Sequence, residues 1–384
     1  MNIGIIDADV IGKTKHRFPN LACMKISSYY KSQGHNVRLL LSYEDIESYD
    51  RVFISKVFMD TVIPFEPEDK SMKNEKQIAD FYKDNVLLNL PNVSYGGTGF
   101  FYDKAPPLPE EIEHIMPDYH LYDEFVEAAI KNGAKKKEFA YYLDYSIGFV
   151  TRGCIRGCSF CVNKNYKQCL RHSQVSEFLD PERKYICLLD DNVLACKDWR
   201  YIFDELNATG KRFQFKQGMD ERLLTDEKCE VIFNSKWIGE HIFAFDNIQD
   251  RELIESKLKI IRKHTDKTIK FYCFCGFNHN EPNVYSEDFW AQDIADLFER
   301  IKILFSYHAL PYVMRYADYA KSPYRGMYIT IARWCNQPSF AKKKSLREFA
   351  AMKENVGATQ RYVEEFERVH PEIAEKYYDF KWTN

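Results

Sequence analysis

Residues 151–165 read TRGCIRGCSFCVNKN and gather Cys154, Cys158 and Cys161 at the spacing C-x3-C-x2-C. A structural zinc site asks for four ligands, usually two close pairs separated by a longer loop. A triplet suits instead a four-iron cluster with one iron left open to a substrate or cofactor. Gly153 and Gly157 let the backbone curl around something bulky. Cys169 lies eight residues beyond Cys161 and is in reach as a fourth ligand. A closed cluster, zinc and plain buried thiols therefore stay as alternatives.

Outward from this loop the chain alternates strands with polar, helix-compatible stretches. YSIGFVT (145–151) runs directly into the cysteines, and YICLLD (185–190), RFQFKQ (212–217), HIFAFD (241–246), IKFYCFCG (269–276) and PYVMRY (311–316) follow. Between them lie stretches such as TDEKCEVIFNS, QDRELIESKLKIIRKH and SEDFWAQDIADLFERIKILFS. Six strands in alternation fit a doubly wound sheet or a partial (β/α) barrel, and periodicity does not separate the two. In either, the thiols sit at the carboxyl end of a strand, where such folds build their sites. YITIARW (328–334) offers a further strand, and the remainder to residue 384 reads as helical.

The first hundred residues form a smaller α/β pattern. NIGIID, NVRLLLS, RVFISKVF and NVSYGG read as strands, with a helix over NLACMKISSYYKSQG that ends at Gly34. Strands alternating with helices imply right-handed crossovers and a mostly parallel sheet. PFEPEDKSMKNEKQ (64–77) reads as a solvated loop. Residues 103–144 read as a connector, with a helix start at Pro109, a helix over YDEFVEAAIKNGAKKK and its lysines at the solvated end.

A chain of 384 residues is natural as two domains, and 45% apolar with 15% aromatic residues supplies real cores. A net charge of −3 excludes a strong electrostatic pull toward nucleic acid or membrane. No apolar run approaches the roughly 20 residues a spanning helix needs. The start, MNIGIIDADVIG, lacks a signal-peptide pattern, so a cytoplasmic location with no membrane partner is expected. Eleven cysteines in a reducing compartment are read as metal ligands where clustered. The scattered ones, Cys23, Cys169, Cys187, Cys196, Cys229 and Cys335, read as small buried residues. Cys273 and Cys275 fall on one strand face, and a second cluster with Cys335 is the alternative to burial.

CIRGCSFC, with Phe160 just before the last cysteine, resembles the signature of the radical S-adenosylmethionine superfamily, over residues 145–335. The resemblance implies a partial (β/α)6 barrel and a 4Fe–4S cluster on Cys154, Cys158 and Cys161. Its open iron would chelate S-adenosylmethionine, and an electron from a donor such as flavodoxin or ferredoxin would cleave it to a 5′-deoxyadenosyl radical that abstracts hydrogen. The strand ends then become candidate cofactor contacts. Asp191 and Asn192, in LLDDN beside Asp190, stand where similar proteins hold the methionine ammonium, although the usual Gly-Gly-Glu is absent; a turn or helix cap is the other reading. Lys216, Gln217 and Asp220 follow the third strand and Asp246 the fourth, for ribose or carboxylate, and Gly276 permits close approach of adenine. Arg315 ends the sixth strand.

The amino-terminal unit, residues 1–102, is similar to a Rossmann-like cobalamin-binding domain. Such domains carry D-x-H-x-x-G after the first strand, a later serine and a Gly-Gly pair. Here the run is Asp7-Ala8-Asp9-Val10-Ile11-Gly12, with Ser55 and Gly96-Gly97 beyond it. Aspartate replaces the cobalt-ligating histidine, which rules out histidine-on binding there. Two expectations remain: a working cobalamin domain, or a degenerate one kept for packing or substrate recognition. PDYHLYDEF (117–125) is similar to the connector joining such domains to a radical core.

The expected architecture is thus α/β: a Rossmann-like domain (1–102), a connector (103–144), a partial barrel (145–335) and a helical carboxyl-terminal segment (336–384). The expected function is a radical enzyme acting on an unactivated C–H bond. A cobalamin-dependent radical methyltransferase is the alternative, and a non-catalytic iron–sulfur sensor or scaffold the alternative of another class. Small molecule, peptide and RNA substrates are not distinguished, and Lys342, Lys343, Lys344 and Arg347 read as a solvated basic face.

Overall fold

The structure, a computed structural model, describes residues 1–13, 15–70 and 77–382. It is a mixed α/β protein with parallel sheets, in two compact units: Met1–Asp190 with Glu205–Phe213, and Asp191–Asp204 with Gln214–Asn384.

In the first unit β1 (Asn2–Asp7), β2 (Asn36–Leu39), β3 (Arg51–Ser55) and β4 (Val93–Gly96) form a parallel sheet in the order β2-β1-β3-β4. The register aligns Asp7 with Ser55 and Ser55 with Gly96, so these three form a row at the carboxyl edge. The strand order reverses between β1 and β3, the switch point where such sheets open a crevice for ligands. Alternating apolar side chains feed a core on each face. Ile3 and Ile5 pack with Leu21, Met24 and Tyr30 of the helix Leu21–Ser32 and with Tyr119, Tyr122 and Tyr142. Ile6, Val52 and Ile54 pack with Ile78, Phe81, Tyr82 and Phe100 on the other. Asn20 caps the helix by accepting the Cys23 N–H at 3.3 Å, and Gly34, at φ 78°, turns the chain out of it.

The connector carries the short helix Glu110–Glu113 after Pro109 and the helix Asp123–Lys131. Gly133, at φ 97°, ends the second helix, so Lys135–Lys137 follow it in a separate 3-10 turn instead of finishing it as expected. Next come β5 (Tyr145–Gly148), β6 (Thr151–Arg152), β7 (Leu170–Arg171) and β8 (Tyr185–Leu188). β5 pairs with β8 in parallel, and β6 with β7 antiparallel. The strand expected over 145–151 is therefore broken. The Asp190 carboxylate takes the N–H groups of Val150 and Thr151 and the Thr151 hydroxyl, which removes the donors a continuous strand would need. β9 (Arg212–Phe215) spans the boundary between the units.

The second unit holds β10 (Ile242–Ala244), β11 (Ile269–Cys275) and β12 (Ala309–Arg315), parallel and in that order. On β11 the residues Ile269, Phe271, Cys273 and Cys275 are buried and alternate with half-exposed ones. The helices Glu287–Ser306 and Arg325–Cys335 pack on this sheet. YITIARW, expected as a strand, lies inside the second of these helices. Its apolar run hides a helical period, because Tyr328, Ile331, Trp334 and Cys335 all face inward while Arg333 bonds Thr359 at 2.8 Å. Helices Ala358–Val369 and Pro371–Tyr377 close the carboxyl-terminal segment. The basic face is partly neutralised, since Arg347 is forked by Glu367 at 3.0 Å and by Asp379 at 3.2 Å. No helix among the described residues is long and apolar enough to cross a membrane.

Candidate functional site

The cysteine loop projects from a two-strand clamp. β6 and β7 pair Thr151 with Arg171 and Arg152 with Leu170, and the chain between them carries all three thiols. Gly153 makes the clamp possible. It sits at φ 93°, and a Cβ there would come within 2.3 Å of the Gln168 carbonyl oxygen. Inside the loop the Cys161 N–H donates to the Cys158 carbonyl at 3.0 Å, and the Lys164 N–H to the Cys161 carbonyl at 3.2 Å. Two further backbone N–H groups aim at sulfur: Arg156 at Cys154 and Asn163 at Cys161, each at 3.4 Å. Residues 151–171 also contain five Lys or Arg and no Asp or Glu, a balance that suits an anionic centre.

Cys154, Cys158 and Cys161 are half-exposed, whereas the other eight cysteines are buried. Cys169 belongs to the buried set. Burial also pushes the Cys273 thiol up to about 12, and those of Cys275 and Cys335 well above their ordinary value. These three are core thiols that stay protonated. Among the described residues no three His, Cys, Asp or Glu side chains converge on a single-ion position. A four-iron cluster takes one thiolate per iron and needs separated sulfurs. In donor chemistry, exposure and loop curvature the residues present fit that group.

The foot of the clamp is a partly buried ionic knot. Glu113 accepts from Lys25 at 2.8 Å and from Arg152 at 3.1 Å, and His172 lies 3.6 Å away. Lys25 and Arg152 hold the Glu113 carboxyl below its usual range against the opposing effect of burial. Burial, helped by Arg152, lowers His172 to about 4, so it is neutral at ordinary pH. Phe160 is half-exposed, and its carbonyl accepts the Tyr102 hydroxyl at 3.0 Å.

The strand-end candidates of the second unit fall into two groups. Asn192 is buried and donates to Asp220 at 3.1 Å; Asp220 also takes Arg222 at 2.8 Å. Asp191 beside it is half-buried, and Gln217 is exposed in the turn after β9. At the ends of β10 and β11, Asp246 accepts the Phe274 N–H at 3.0 Å, and burial raises its carboxyl. Arg300, almost fully buried, donates to the carbonyls of Phe245, Asp246 and Phe274 and ties these ends together. Gly276, at φ 79°, donates to Asp293 at 2.8 Å, and a Cβ there would meet the Tyr319 Cβ at 2.9 Å. Its close approach is thus to Tyr319. Arg315 lies over the Tyr319 ring at 4.5 Å.

The crevice at the β1/β3 switch point is filled by the chain itself. Asp9 is 1% exposed and accepts the N–H groups of Val57 at 2.7 Å and Phe58 at 3.4 Å as well as the Thr61 hydroxyl. Gly12 makes room for Thr61, whose methyl lies 2.7 Å from where a Cβ would stand. Ser55 takes the Asn20 amide at 2.9 Å. Gly96 faces open space, but a Cβ on Gly97 would come within 2.2 Å of the Lys56 carbonyl oxygen. Lys56 is fully buried, bonds the Tyr82 hydroxyl and lies 3.7 Å from Glu66. The residues that resemble a corrinoid motif are therefore spent on internal packing, and this set does not fit cobalamin.

Sequence reasoning missed Glu66, whose side chain is 3% exposed within the stretch read as solvated; residues 71–76 of that stretch lie outside the described residues. It also missed Tyr102 and Asp103, which grip the cysteine loop, and Glu221, which burial pushes up to about 8. No local pattern marks Tyr102 or Asp103, because their loop partners lie about sixty positions away, and the burial of Glu66 and Glu221 is set by the tertiary fold.

No family model matches the chain. Among solved structures it is similar to the cobalamin-dependent S-adenosylmethionine radical enzyme OxsB with aqua-cobalamin and S-adenosylmethionine bound, at 12% identity and a TM-score of 0.47 over 96% of this chain. The same enzyme with aqua-cobalamin alone matches at 12% identity with a TM-score of 0.42. The chain covers 61% of that enzyme, so it spans about three fifths of its length.

Proposed function

We propose that this protein is a radical S-adenosylmethionine enzyme whose cluster is held by Cys154, Cys158 and Cys161. One observation carries the reading: the only cysteines left half-exposed are these three, on one glycine-hinged loop with backbone N–H groups aimed at two of the sulfurs. When bound, a 4Fe–4S cluster with an open iron supplies the electron that cleaves S-adenosylmethionine. The chain's own part is to hold three thiolates, to anchor their loop through Arg152 on Glu113 and Lys164 on Asp103, and to offer polar groups to the nucleoside. Asp191, Asn192 and Gln217 are proposed for the methionine and ribose ends, and Asp246 and Gly276 for the adenosine. An acidic carrier such as flavodoxin or ferredoxin would supply the electron. The reading needs no corrinoid, because the amino-terminal crevice is self-filled.

The test is anaerobic reconstitution with iron and sulfide, reduction, and EPR with and without S-adenosylmethionine. A four-iron signal that shifts on addition, with 5′-deoxyadenosine formed under reducing conditions, supports the enzyme. A cluster signal indifferent to the compound would favour the sensor, and failure to assemble any cluster would sink the reading.

A further inference from the structure

Tyr102 has a backbone no ordinary loop residue would keep. It lies at φ 49° and ψ −116°, outside the regions open to residues with a Cβ. Such strain persists only where surrounding contacts over-determine it. Besides its core packing and a bond from its N–H to the Thr98 carbonyl, the contacts of Tyr102 lead to the cysteine loop. The Tyr102 ring is 5% exposed, and its hydroxyl donates to the Phe160 carbonyl at 3.0 Å. Lys164 places its ammonium 4.9 Å from the centre of the same ring and 3.3 Å from the Asp103 carboxylate. Asn165 donates to the Asp103 carbonyl and carboxylate, both at 3.3 Å. Residues 102–103 thus hold the loop just before Cys161, at the Phe160 carbonyl, and again just after it.

We infer that Tyr102 is a positioning residue for the cluster, fixing the turn that carries Cys158 and Cys161; this rests on the cluster reading above. The Phe160 carbonyl belongs to the peptide whose N–H is that of Cys161. A donor on this oxygen therefore sets the peptide plane and the direction in which the Cys161 side chain leaves it. Upstream, Phe100 lies beneath Lys56, 5.2 Å from its ammonium, so the segment leading to Tyr102 is itself clamped in the core.

Tyr102→Phe removes the hydroxyl and keeps the ring. The variant should fold with an unchanged circular dichroism spectrum and still assemble a cluster. Its iron should pass to bathophenanthroline about two- to tenfold faster, the factor expected of one lost hydrogen bond. Its EPR shift should need more S-adenosylmethionine to saturate. Asp103→Asn, which leaves the strained residue alone, should move both readouts the same way by less. Chelation and titration like the parent's in Tyr102→Phe would overturn the inference while the cluster reading stood. A parent that assembles no cluster would overturn both.

Discussion

The Asp9 carboxylate accepts the backbone N–H of Val57 at 2.7 Å and so ties the first βα-turn to the loop after β3. Asp9 stands where the resemblance puts a cobalt-ligating histidine, and this bond engages its carboxylate within the chain. Protein incubated with excess aqua-cobalamin and then desalted is expected to carry no corrinoid absorbance. Retention of a stoichiometric amount would show that the self-filled crevice opens.

Lys56 and Glu66 form a buried pair with Tyr82. Removing Lys56 takes a buried cation from Glu66, which keeps the Tyr82 hydroxyl, the Ile63 N–H and the Lys70 ammonium at 3.9 Å, so Lys56→Met should destabilise the fold by about 1–3 kcal/mol in urea unfolding. Adding Glu66→Gln should recover part of that loss. A double variant no better than the single one would argue that the two charges do not depend on each other.

Asp7 is a buried carboxylate whose ionisation burdens the first unit. Burial raises its carboxyl to about 7, although the Tyr122 hydroxyl, bonded at 2.7 Å, opposes the shift. The folded state therefore holds a proton that the unfolded chain releases near its ordinary value. The stabilisation this gives is complete at low pH and disappears as pH rises through about 7. Asp7→Asn should flatten that slope and leave the variant more stable than the parent by roughly 1–3 kcal/mol above neutrality. Parallel stability–pH curves for the two would refute the assignment.

Gly153→Ala places a methyl against the Gln168 carbonyl in a backbone region that favours glycine. The clamp must then open. The variant is expected to lose its cluster during gel filtration while keeping its secondary structure. A stable, fully loaded Gly153→Ala protein would mean that the loop tolerates a different path.

Much of the fold is visible in the sequence, because local period and caps agree with the tertiary result. NIGIID is β1 residue for residue, and Thr225 and Ser286 cap the helices expected after them. YITIARW misled because its five apolar residues, alternating in part with Thr330 and Arg333, satisfy both periods, and only the inward set at three- and four-residue steps decides for helix. The candidate site is less legible. Three thiols at short spacing announce themselves, but Tyr102 reaches Phe160 from 58 positions away, and Asn192 meets Asp220 across 28. Such pairings depend on chain crossovers that composition does not encode.

Eight of the eleven sulfurs are buried, and the three that meet solvent share one loop. Sulfur chemistry in the folded chain is thereby partitioned. An alkylating reagent or dissolved oxygen reaches the loop first, since thiolate character and access together govern attack. Air would then erase the site and spare the scaffold. A preparation could melt sharply, run as a single species and be chemically inert, so sound folding is no guide to whether the protein was harvested intact.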